Sequence, residues 1–257
     1  MGTRRGLDRL ATAAPWIEHG LAGAALLALA MLPVIEMILR TFFHTGIPDS
    51  SGVIQHLTLW VGFLGAMVAA GERRHLTLST GVGFFPPGLQ TVVTGFQAMV
   101  STAVACGLFW ACLQFVRAEM ASPASIAGGV PLWAVKSILP AALAVIALRF
   151  VAQAGGSAAR ALAFLGIPLA GAIGFLLVPY AGQLLWPGMA CLLAVALLGA
   201  PIYVVLGGAA LLLFFADGVP VASIPVETYR IAVSPSIPTI PLFTLTGYVA
   251  APRDTSG

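Results

Sequence analysis

Glu36 is the one acid well inside an apolar run, and Arg40 follows it four residues later. Successive residues turn by about 100° on a helix, so the two share a face. A carboxylate within a membrane is a candidate for handling a proton or an ion. The same spacing also makes an i, i+4 ion pair near the outer interface, and that structural reading needs no transport role. We favour it.

Four histidines, His19, His44, His56 and His75, raise haem ligation, which needs imidazoles facing each other inside a bundle. His19, His56 and His75 fall near the ends of apolar runs, and His44 lies in a loop. A His19–His56 pair would sit at opposite membrane faces if the first two runs are antiparallel, so interfacial positions are the expectation. Cys106, Cys112 and Cys191 form no metal-ligand pattern, and the first two lie about 240° apart round a helix. Glu72-Arg73-Arg74-His75 follows the second run directly. It reads as a stop and orientation signal, with binding to a partner helix as the alternative. With no phosphate loop, nucleophile elbow, HExxH or paired carboxylates, the sequence gives no reason to expect an enzyme.

The elements that must position these residues are membrane helices. Charged residues make up 8% of the chain and hydrophobic ones 59%, with a mean hydropathy of +0.99. Soluble domains carry about 25% charged residues, and apolar runs of about 20 residues span bilayers. The expected fold class is therefore an all-α polytopic integral membrane protein. The net charge of +3 comes from residues between the runs, where they orient helices, so nucleic acid is not an expected partner.

Six spans are expected: Ile17–Leu39, Val53–Ala70, Leu89–Val116, Val130–Val151, Ala161–Tyr180 and Met189–Phe215, the last with Pro201 inside it. The first resembles a secretory signal, but it runs on without a cleavage site and is better read as an uncleaved anchor. With the N-terminus in the cytoplasm, the inner segments hold Arg4, Arg5, Arg9, Arg73, Arg74, Arg149, Arg160 and Arg230. The outer ones hold only Arg40, Arg117 and Lys136, and this excess favours an N-in topology. Residues 216–239 carry four prolines and read as a loop with a short interfacial helix. Ile240–Ala250 then looks like the opening turns of a seventh helix, followed by a polar tail at 251–257.

Some of these residues carry a family resemblance. The stretch Gln55–Leu76, with Trp60 at its centre, then Phe63-Leu-Gly-Ala66 and the basic segment ending at His75, resembles the small membrane subunit of TRAP transporters. TRAP denotes tripartite ATP-independent periplasmic, and the small subunit is its Q component. Ile38-Leu-Arg40 and Val130-Pro-Leu-Trp133 also fit, so the resemblance covers about residues 17–152. Leu198-Gly-Ala-Pro201-Ile-Tyr-Val-Val-Leu-Gly207 is similar to the first helix of the large permease, the M component. Ile237–Val249 looks like the start of its second.

The resemblance implies a Q–M fusion: a small-permease region at 1–152, a connecting helix at 153–184, the start of the large permease at 185–250, and an atypical tail at 251–257. It further implies a permease component of a secondary transporter in a bacterial inner membrane. A periplasmic substrate-binding protein would deliver a small organic anion such as a carboxylate, and a sodium gradient would drive an elevator-type movement, with this chain as scaffold. The sodium sites would belong to the remainder of the large permease subunit, on broken helices, so no cofactor is expected in this chain. Many Q components carry a glutamate before the tryptophan. Gln55 and His56 stand there instead, so that acid's role does not transfer. A premature stop, a frameshift near Ala250 or a fragmentary gene would explain the tail, and the chain alone is not expected to transport. The rival readings are a non-transporting anchor subunit of a redox complex and a non-functional truncated fragment.

Overall fold

The computed structural model describes residues 2–71, 85–122, 124–126 and 129–234, with side chains from residue 16 onward. Its helices are α1 (Gly2–Phe43), α2 (Ser50–Gly71), α3 (Pro87–Ala121), α4 (Leu132–Lys136), α5 (Ile138–Gln153), α6 (Ser157–Gly171), α7 (Ala181–Leu197), α8 (Ile202–Ala216) and α9 (Ser223–Ala232). A two-residue antiparallel pairing, Ser125–Ile126 against Val130–Pro131, closes the turn between α3 and α4. Among the described residues six segments are long and apolar enough to cross a membrane: Trp16–Phe43, Ser50–Gly71, Gly88–Ala121, Leu132–Gln153, Ser157–Leu176 and Val178–Leu197. The chain is an all-α polytopic membrane protein.

One expected span is corrected. Residues 189–215 are not a single helix, because the chain reverses at Gly199-Ala200-Pro201. Gly199 takes a φ of 95°, which glycine adopts without strain. The Ala200 amide reaches back to the Val195 carbonyl and the Gly199 amide to that of Ala196, so α7 ends in a Schellman motif. Pro201, lacking an amide hydrogen, then precedes the first turn of α8. The same punctuation ends α8, where Gly218 has a φ of 67° and Val219 donates to Phe214 before Pro220.

The reversal makes α7 and α8 an antiparallel hairpin. Gly188 faces Leu212 and Leu192 faces Gly208 across it. Gly199, Ala200 and Pro201 at its tip are buried in the bundle. Arg230, expected on the same side as Arg149 and Arg160, is therefore carried to the opposite end, beside α2's first turns. The extra pass through α8 is the reason.

Small residues bring the helices together, as packing within a membrane requires. A Cβ on Gly166 of α6 would fall 2.9 Å from the Thr102 Cβ of α3, and one on Gly95 of α3 would fall 3.2 Å from the Leu162 Cβ of α6. These contacts advance in the same direction, so α3 and α6 run parallel. The intervening α5 returns in the opposite direction, burying Leu139, Ala142, Ile146 and Phe150. On α7 and α8, Val195, Ala200 and Val204 join the same core. Of the described side chains of α1 only Ala25 is buried. The expected further helix at 240–250, the polar tail and the Glu72–His75 segment with Arg74 lie outside the described residues.

Candidate functional site

Two clusters of polar side chains hold the bundle, one at each end. The lower end is where α1 begins, α2 and α5 finish and α6 starts. Arg149 on α5 donates to the Met67 carbonyl in the last turns of α2. Its other amine lies 2.6 Å from the Glu18 carboxylate on α1. One turn on, Gln153 donates to the Ala70 carbonyl at 2.7 Å. The final carbonyls of a helix have no partner within it, and Arg149 and Gln153 supply one from a neighbouring helix. Three helices are tied by one guanidinium.

The upper end is more elaborate. Lys136 closes α4, and its ammonium sits 2.7 Å from the Glu119 carboxylate in the last turn of α3. The lysine side chain is only 5% exposed, so its charge depends on that partner. It also lies 4.7 Å from the centre of the Phe115 ring and 4.2 Å from that of Tyr229. Aromatic faces attract a cation in this geometry.

Tyr229 on α9 extends the cluster to α2. Its hydroxyl is 2.6 Å from Nε2 of His56, and Nδ1 of His56 is 2.7 Å from the Gly52 carbonyl oxygen. A carbonyl only accepts, so Nδ1 carries a proton; in the neutral ring Nε2 accepts from the phenol. Both ring nitrogens are thereby engaged. Burial, and secondly the nearby Glu119 charge, push the Tyr229 hydroxyl above its ordinary pKa.

The residues singled out from the sequence divide around this cluster. His56 is within it and is buried. Gln55 is half-buried one position before it. Trp60, one turn further along α2, donates its indole N–H to the Val135 carbonyl at 3.0 Å, pinning α4 beside the lysine. Glu36 and Arg40 meet on α1 with 2.6 Å between Nη2 and Oε1. Both lie on α1, so the pair stays within one helix. Arg74 lies outside the described residues.

Three helix-bound charges were not among the site candidates the sequence offered, although Lys136 counts among the outer basic residues. Glu18 and Glu119 both fall within the spanning helices, so Glu36 is not alone there. Lys136 is the chain's only lysine, set in the apolar run Val130–Leu143. That isolation was the available signal. Among the described residues no group of three or more His, Cys, Asp or Glu side chains is close enough to hold a metal. The arrangement can fix helices against one another.

The clusters fall within or beside a segment with known relatives. Residues 29–160, just over half of the chain, match the family model described as tripartite ATP-independent periplasmic transporters, DctQ component. They run from the middle of α1 into the first turn of α6, and so include Glu36, His56, Glu119, Lys136 and Arg149. A Haemophilus influenzae protein named as a TRAP transporter small permease protein is 29% identical over 65 residues. That match takes in 25% of this chain and 40% of the relative's own length. The chain belongs to the family of the DctQ component, the small membrane subunit of tripartite ATP-independent periplasmic transporters.

Proposed function

We propose that this chain is the scaffold of a binding-protein-dependent secondary transporter for small organic anions such as carboxylates, driven by sodium in the complete complex. The family match over residues 29–160 carries the reading. The way polar side chains are spent supports it. Glu18, Glu119 and Lys136 each bond to another helix of this chain, which suits a part that holds shape while another part moves.

The region after 152 is read as a connecting helix, α6, followed by the beginning of a large permease in the α7–α8 hairpin. The large component and a periplasmic binding protein are the proposed partners, and a bacterial inner membrane the proposed location. An N-in orientation is proposed from basic residues. Counted along the sequence with Arg230 moved to the outer side, the segments expected inside still hold seven of them (Arg4, Arg5, Arg9, Arg73, Arg74, Arg149 and Arg160) against four.

The test is uptake into proteoliposomes. This chain is reconstituted with a large TRAP permease component, and a binding protein loaded with labelled carboxylate is added under an inward sodium gradient. Uptake is expected only when all three proteins are present. Uptake by this chain with the binding protein alone would overturn the scaffold role.

A further inference from the structure

Between α3, the end of α6, α7 and α8 lies an apolar groove of about 420 Å³. Its origin is local. After Gly171 the helix widens into a π-turn over Ala172–Leu176, and Gly171 and Gly174 line the opening without side chains. On α3 the wall runs from Val100 to Trp110, about 15 Å at 1.5 Å per residue. That is about half of the roughly 30 Å hydrocarbon core, the depth of one leaflet.

The upper rim carries charge. Arg117, two turns beyond Trp110 on α3, is exposed, and its guanidinium lies 5.8 Å from the Trp110 ring centre. Trp110 is itself part of the groove wall. An apolar slot one leaflet deep, with a tryptophan near its mouth and an arginine above, matches the order of groups along a phospholipid: acyl chain, interface, phosphate.

We propose that this groove is a binding site for one glycerophospholipid, with an acyl chain between α3, α6 and the α7–α8 hairpin and its phosphate at Arg117. The lipid completes the contact between the DctQ-family helices and the hairpin, so the two pack through lipid as well as through side chains. A Cβ added at Gly171 or Gly174 meets no atom within 4 Å. A leucine at either position therefore starts into open space on the groove wall.

The full chain is purified in dodecyl maltoside and titrated with dioleoylphosphatidylglycerol, and bound lipid is counted by native mass spectrometry. Wild type is expected to bind one lipid saturably. Gly174→Leu and Gly171→Leu are expected to lose that site while keeping their helical circular dichroism. Arg117→Gln is expected to weaken it about tenfold, as loss of a charge-assisted hydrogen bond to phosphate implies. Saturable binding that survives both leucine variants would overturn the proposal. So would a wild-type chain that binds no lipid, which would mean the groove is filled by protein or detergent.

Discussion

Tyr229 donates its hydroxyl to Nε2 of His56 at 2.6 Å, across 173 residues of sequence. The bond joins the short helix after the α7–α8 hairpin to the first turns of α2, inside the DctQ-family region. Since Tyr229 also faces Lys136 at 4.2 Å, one phenol closes a cluster that draws on α2, α3, α4 and α9.

Tyr229→Phe keeps the ring over Lys136 and removes only the hydroxyl. It leaves Nε2 of a buried histidine without its donor, which costs about 1 to 3 kcal/mol. Amide exchange across residues 223–232 is expected to quicken by at least about fivefold, with α3 and α5 unchanged. Unaltered protection of α9 would mean the bond does not hold the helix.

Lys136 and Glu119 are expected to behave as a buried pair. Lys136→Met strands the carboxylate and Glu119→Gln strands the ammonium, each lowering stability by about 3 to 5 kcal/mol. The double variant Lys136→Met with Glu119→Gln is expected to be more stable than either single one. Thermal unfolding of the four proteins in one detergent checks this, and additive losses would show the two side chains to be independent.

The raised pKa of Tyr229 gives α9 a pH limit with a definite sign. The site favours the neutral phenol, so its contribution is fully present below the unfolded value of about 10 and is lost as pH rises through the higher folded value. Protection of residues 223–232 should therefore hold through neutral and mildly alkaline pH and fall above about 10. Tyr229→Phe should lose this alkaline step. Loss of this protection already between neutral pH and about 9, below the ordinary phenol value, would contradict the assignment.

The sequence was most legible where hydrophobicity alone decides structure. Five of the six expected spans lie where the helices are, because an apolar run of about 20 residues has few alternatives in a bilayer. The sixth failed at Gly199. Hydropathy stays high through the hairpin tip, so only the Gly-x-Pro punctuation marked the reversal, and reading Pro201 as a kink instead misplaced Arg230. The Glu36–Arg40 spacing was readable because both lie on one helix. Glu119 with Lys136, Glu18 with Arg149 and His56 with Tyr229 were not, since each pair joins helices whose packing the local sequence does not encode. The lone lysine was the one local hint.

The scaffold role is tested most directly by locking the helices that define it. Gly95 and Leu162 lie on α3 and α6, where a Cβ at Gly95 would be 3.2 Å from that of Leu162, near the span of a disulfide. With Cys106, Cys112 and Cys191 replaced, the Gly95→Cys, Leu162→Cys variant is reconstituted with the large permease component and binding protein. Sodium-driven carboxylate uptake is then measured oxidised and reduced. Equal uptake in the two states is the expected result for a fixed frame. Uptake abolished by oxidation and restored by reduction would show that α3 and α6 move during transport, and would contradict the account.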